Sequence, residues 1–149
     1  ALMELRGFTA EGFGVFHPGG KLGAQLARVA QLMHTGAELP RVAKDTPMSE
    51  TLIEMTSKGL GIAAVIDPEG RLAGVVTDGD LRRNMADLLT RTAGDVANPA
   101  PVTLGPDRLA AEAMALLQAK KISVLVVTDD DARPVGILHI HDLLRAGVA

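Results

Sequence analysis

One stretch of this chain is used twice, sixty-two residues apart. Gly74-Val75-Val76-Thr77-Asp78-Gly79-Asp80-Leu81-Arg82-Arg83 returns as Gly136-Ile137-Leu138-His139-Ile140-His141-Asp142-Leu143-Leu144-Arg145. The same offset aligns Asp45 with Asp107, Glu50 with Glu112, Lys58 with Lys120, Val65 with Val127, Asp67 with Asp129 and Arg71 with Arg133. No gap is needed from about Pro40 to Met85. A duplicated unit under 60 residues long buries too little apolar surface alone, so two copies must stack to share a core.

Each copy reads as strand, helix, strand, strand, helix. Val42 marks the first strand of the first copy, and Asp45 or Thr46 is placed to cap a helix with Pro47 in its first turn. Met48, Leu52 and Met55 fall on one face of that helix, and Lys58-Gly59 ends it. The wholly apolar run Ile62 to Ile66 predicts a strand covered on both sides. Asp67-Pro68-Glu69-Gly70 predicts a turn into a return strand over 72–76. A helix from Asp80 to about Leu89 follows. The second copy repeats this with strand 102–104, a helix opened by Asp107, strand 124–127, the turn Asp129-Asp130-Asp131, strand 135–138 and a last helix at Asp142. The fold class is α+β, a pair of β-α-β-β-α units related by a pseudo-twofold axis with clefts between them. Residues 1–28 read as a linker and the end of a preceding domain, 29–89 as the first repeat and 90–149 as the second.

Composition narrows the function. The formal net charge is −3 and there is no Trp, no Tyr and only three Phe. Neither the basic face nor the aromatic platform of a nucleic-acid binder is present. Apolar residues make up 47%, which supports a real core. The chain has no Cys, so thiolate metal sites, disulfides and cysteine nucleophiles are excluded. No apolar run approaches the roughly 20 residues of a membrane span, and the expected location is cytoplasmic.

The chemistry concentrates at the two strand-to-helix elbows. Asp80 can accept hydrogen bonds from both hydroxyls of a ribose. The Thr77 hydroxyl and the N–H groups of the following helix can hold a phosphate, and Gly79 lets a ligand approach the backbone. Capping of the helices explains Asp80 and Asp142 equally well without any ligand. His139 stands where the first copy has Thr77 and can donate to a phosphate in a pH-dependent way. His139, His141 and Asp142 also invite a metal reading. That reading is set aside in favour of cleft-lining imidazoles, because three convergent protein ligands are required. Lys121 is assigned to the cleft and Lys58 to a helix C-terminus.

The pattern Gly-apolar-apolar-Thr-x-x-Asp, met in full by Gly74 to Asp80, resembles cystathionine-β-synthase (CBS) domains, which pair as Bateman modules. Gly136 to Asp142 departs from it at His139. The resemblance implies a regulatory nucleotide ligand in the cleft. More of the chain is similar to the arabinose-5-phosphate isomerase family: Leu2 to Glu11, His17-Pro18-Gly19-Gly20-x-Leu22-Gly23, Leu32-Met33-His34-Thr35-Gly36, Thr77 to Arg83, and Leu138 to Gly147. That family joins a sugar-isomerase (SIS) domain to a CBS pair. It interconverts ribulose 5-phosphate and arabinose 5-phosphate for synthesis of the lipopolysaccharide sugar Kdo. The resemblance implies that the SIS domain lies outside this sequence and that His17 belongs to its catalytic pocket. By the same resemblance the ligand is CMP-Kdo, with an AMP-type nucleotide second, held by Thr77, Gly79, Asp80, Lys121, His139, His141 and Asp142. Self-association into dimers, and tetramers of the longer protein, is expected, and a module with an empty cleft that only assembles the isomerase is the alternative.

Overall fold

The computed structural model describes residues 20–148, so His17 and the preceding strings lie outside the described residues. The elements are α1 (Gly20–Gln25), β1 (Arg41–Ala43), α2 (Met48–Lys58), β2 (Ile62–Ile66), β3 (Leu72–Thr77), α3 (Asp78–Arg83), α4 (Ala93–Val96), β4 (Thr103–Leu104), α5 (Ala110–Lys120), β5 (Val124–Thr128), β6 (Pro134–His139) and α6 (Ile140–Arg145). They form two three-stranded sheets ordered β1-β2-β3 and β4-β5-β6, each with one parallel and one antiparallel pairing. The α+β duplication expected from the sequence is therefore the architecture found. Even the register shift is duplicated, between Val65 and Ile66 and again between Val127 and Thr128.

Strand alternation builds three cores. Ala63, Val65 and Val76 face Met48 and Met55 of α2. Leu125, Val127 and Leu138 face Ala113, Met114 and Leu117 of α5. The opposite faces meet between the sheets, where Ile62, Ala64 and Val75 pack with Val126 and Ile137. Both faces of each hairpin are thus buried, which is why β2 and β5 carry almost no polar residue. No helix among the described residues is long and apolar enough to cross a membrane.

The repeats exchange their leading segments. Arg28 to His34, which leads the first repeat, lies on the second: Arg28 bridges to Leu109 and His34 to Ile137. Thr92 to Asn98, which leads the second, lies on the first through Pro47–Thr92 and Val75–Asn98 bridges. Ala24, Ala27 and Val29 belong to the α5 core rather than to the α2 core.

Three local expectations are corrected. Neither Asp45 nor Thr46 caps α2; Thr46 Oγ1 instead accepts from the Ala43 N–H (3.0 Å), and Pro47 stands at the cap position. Asp107 does not open α5, whose first turn is held by Glu112 accepting from the Leu109 N–H (2.9 Å). The helix expected from Asp80 to Leu89 is short α3 followed by 3-10 turns over Met85–Thr90, with Asp87 off helical geometry.

The duplicated turns share one hydrogen-bonding scheme but differ at their left-handed residue. Asp67 Oδ1 accepts from the N–H groups of Glu69 and Arg71, and Asp129 Oδ1 from those of Asp131 and Arg133. Gly70 takes φ of 86° there, and its counterpart Ala132 takes 64°. A left-handed alanine costs roughly 1–2 kcal/mol, only partly offset by the chain entropy a glycine would add. Ala132→Gly is expected to raise stability by about 0.5–1 kcal/mol, read from chemical denaturation. Gly74 has the opposite constraint, since a Cβ there would stand 2.6 Å from the Asn98 carbonyl oxygen. Gly74→Ala is expected to lower stability by about 1–3 kcal/mol as the exchanged segment is pushed off β3, read the same way.

Candidate functional site

The elbows take their shape from reciprocal hydrogen bonding. In the first, Asp80 Oδ2 accepts from the Thr77 N–H (2.9 Å) and from the Thr77 hydroxyl (3.0 Å), while the Asp80 N–H donates to Thr77 Oγ1 (3.4 Å). In the second, Asp142 Oδ2 accepts from the His139 N–H (2.9 Å). Each carboxylate is buried and caps the helix that contains it. Capping uses one oxygen of each. The other oxygen, Oδ1, receives an arginine: Arg83 Nη2 at 2.5 Å in the first elbow and Arg145 Nη2 at 2.6 Å in the second. One oxygen of each side chain thus caps its helix and the other pairs with an arginine three residues on.

A cavity of about 580 Å³ opens between the repeats at the first elbow. That is within the roughly 300–1,000 Å³ of small-molecule sites. Thr77, Gly79 and Asp80 line it from one repeat, and Lys121, Ser123 and His139 from the other. Leu60, Ile62 and Val75 with Ile122, Val124 and Pro101 give it apolar walls. Arg82, Arg83 and Lys121 supply positive charge beside Asp78 and Asp80. Lys121 reaches the cavity from the C-cap of α5, where it takes φ of 57°. At Gly79 an added Cβ would meet nothing in the chain closer than 3.4 Å, so the chain itself leaves that approach open.

His139 is partly buried, and that burial pushes its pKa down, helped by the nearby His141, His34 and Arg145; Asp142 pulls the other way. Its Nδ1 accepts from the His141 N–H (3.1 Å), which leaves the ring proton on Nε2 as a donor. Neither His141 nor Asp142 lines the cavity. The strand ends at His139, so His141 lies in the first turn of α6, away from the cleft it was expected to line; the two rings lie 4.5 Å apart and 49° tilted. Among the described residues no group of three or more His, Asp or Glu side chains is arranged to hold a metal ion.

Asp142 instead meets a residue that sequence reasoning passed over. His34 Nε2 lies 2.9 Å from Asp142 Oδ1, and Nδ1 lies 2.8 Å from Glu38 Oε1. Burial opposes a charge on this ring, but the bonds to Glu38 and Asp142 outweigh it and raise the pKa. The available signal was a lone imidazole in Leu32-Met33-His34, outside the repeat match. A second hollow of about 450 Å³, with Lys44, Asp45, Thr92 and Asp95 among its lining, does not include Asp142.

Paired hairpin units with an elbow of Thr77 and Asp80 at their shared cleft define a class, and the family comparison agrees. The CBS domain model matches residues 29–87 and again 93–149, so the chain belongs to the CBS domain family, as a pair. It is 49% identical to arabinose 5-phosphate isomerase KdsD of Pseudomonas aeruginosa over 152 aligned residues, which cover 99% of this chain and 47% of that protein. It is 44% identical to KdsD of Escherichia coli K12 over 99% of this chain and 46% of that one. The chain thus spans about half the length of these relatives. Among solved structures, CBSX2 in complex with AMP superposes with a TM-score of 0.70 at 26% identity, covering 81% of this chain and 96% of that one.

The two histidines impose opposite pH dependences around their ordinary value of 6.5. His34 has a raised folded pKa, so its contribution is full below 6.5 and is lost as pH rises through the folded value. His139 has a lowered one, so its contribution is full above 6.5 and is lost as pH falls through the folded value. Denaturation across pH 5 to 9 is expected to show His34→Gln removing an alkaline loss of stability and His139→Gln removing an acid one (about that range, by the usual span of histidine shifts).

Proposed function

We propose that this chain is the regulatory, nucleotide-sensing CBS pair of a D-arabinose-5-phosphate isomerase of Kdo synthesis. The observation that carries the reading is Asp80, which caps its helix through Oδ2 and also lines a cavity of about 580 Å³ between the repeats. In this reading Arg83 swings aside (its side chain is 69% exposed) and the ribose diol donates to Asp80 Oδ1. The phosphate meets Lys121, Arg82 and the His139 Nε2–H, with the Thr77 hydroxyl and the Gly79 backbone beside it. The base lies against Ile62, Val75 and Val124.

The favoured ligand is CMP-Kdo, the activated end product, and an AMP-type nucleotide is second. The AMP complex of CBSX2 supports a nucleotide of this size. The identity to KdsD over nearly the whole chain supports the isomerase context. The longer protein would carry its chemistry in a preceding SIS domain, with His17 in that pocket, and would act in the cytoplasm. A ligand regulates it only by binding its active and inactive states with unequal affinity.

Self-association forms a second, compatible reading. Ile53, Met85 and Leu89 are 63–69% exposed on the first repeat, an apolar surface suited to pairing with another copy. Calorimetry with CMP-Kdo and AMP tests the first reading. A heat of binding is expected with at least one, and Asp80→Asn is expected to weaken it about tenfold by losing charge-assisted bonds while keeping the cap. No heat and no thermal stabilisation by any nucleotide above millimolar concentration would reject it. Light scattering of Ile53→Glu and Leu89→Glu tests the second, with a shift from dimer to monomer as the expected outcome.

A further inference from the structure

The two elbows are duplicates, yet the chain treats their clefts differently. On β3, Asn98 is held by Val75 N–H to its carbonyl (3.1 Å) and by its own N–H to the Val75 carbonyl (2.8 Å). On β6, His34 makes the same two bonds with Ile137, at 2.9 and 2.8 Å. Asn98 and His34 therefore stand at corresponding stations, one beside each carboxylate. The Asn98 side chain turns to its own backbone, accepting from the Ala100 N–H (3.0 Å), and leaves the space before Asp80 open. The His34 side chain instead lies against the second elbow and bonds Asp142 Oδ1.

That ring lies between two carboxylates, Asp142 and Glu38, which accept when ionised and do not donate. Both ring nitrogens donate there when His34 is protonated, and the two carboxylates raise its pKa against the opposing effect of burial. Arg145 donates to the same Asp142 oxygen, and His139 and His141 are the other titratable groups near it. Met33 fills the space above Gly136, where a Cβ would stand 2.8 Å from its Cγ. Asp142 thus has both oxygens taken by the chain, with a side chain only 6% exposed.

We propose that His34 is a resident occupant of the second cleft: its ring takes the carboxylate edge of Asp142 that a ribose would need, so the chain accepts one nucleotide, at Asp80, and none at Asp142. The stoichiometry rests on the nucleotide reading of Asp80 given above; the occupancy of Asp142 by His34 does not. The exchanged segment is what excludes ligand, and the specificity of the pair lies in a leading segment ahead of the stretch that the two copies share.

The test has two arms on the whole 149-residue chain. Nitrogen-15 NMR of the histidine rings, without ligand, is expected to find His34 doubly protonated and titrating above 6.5, and Asp142→Asn is expected to bring it back toward that value. A neutral His34 at or below 6.5, indifferent to Asp142→Asn, would overturn the proposal. AMP titration by calorimetry is expected to give one site, weakened about tenfold by Asp80→Asn and changed less than about twofold by Asp142→Asn. Two sites, or equal losses in the two variants, would also overturn it. If AMP gives no heat with any variant, the nucleotide reading fails, and the NMR arm alone decides whether His34 occupies the cleft.

Discussion

The seam between the two sheets governs the rest of the structure. Ile62, Ala64 and Val75 press on Val126 and Ile137, with Leu39 completing the cluster. Each of these side chains owes its direction to strand alternation, since its neighbours in sequence face the helices instead. Pressing the inner faces together brings the elbows at the ends of β3 and β6 to a common boundary. The cavity is what remains there where the apolar seam stops and polar elbows begin. A slip of one residue in either hairpin would turn the seam residues outward and abolish both seam and cavity.

Within the elbows, economy comes from dividing a carboxylate between two tasks. One oxygen closes the helix start and fixes the side chain, and the other is presented on a rigid mount. A ligand contact of this kind costs little ordering on binding, because the fold has already ordered it. The arginine three residues on, Arg83 or Arg145, offsets the buried charge. Substituting these aspartates therefore probes capping and recognition together, and an amide replacement separates the two better than alanine.

Much of this was legible in the sequence because duplication makes local signals check one another. The hairpins, their turns, the α5 and α2 faces and the elbow at Asp80 all follow from period, turn chemistry and the sixty-two-residue offset. The caps expected at Asp45 or Thr46 and at Asp107 were misread: Thr46 turns to the Ala43 N–H at the end of β1, Pro47 stands at the α2 cap position, and Glu112 satisfies the start of α5. His141 was expected in the cleft because the sequence does not mark where β6 yields to α6. The role of His34 was invisible for a deeper reason. Its partner Asp142 is 108 residues away, and no periodicity connects a residue to a cleft in the repeat that it does not precede.

The exchanged segments also bear on how the chain acquires its structure during synthesis. Ala24 and Val29 pack with Leu143 and Val148, and Gln25 Nε2 donates to the Val148 carbonyl (3.4 Å) across 123 residues. The opening of the described chain thus waits for partners in the second repeat, first Arg108 and Ala110 and later Leu143 and Val148. The first repeat, by contrast, is complete once Asn98 has emerged. Nascent chains would then wait with one half assembled and Ala24, Ala27 and Val29 exposed, a condition that favours slow completion and early contact with chaperones.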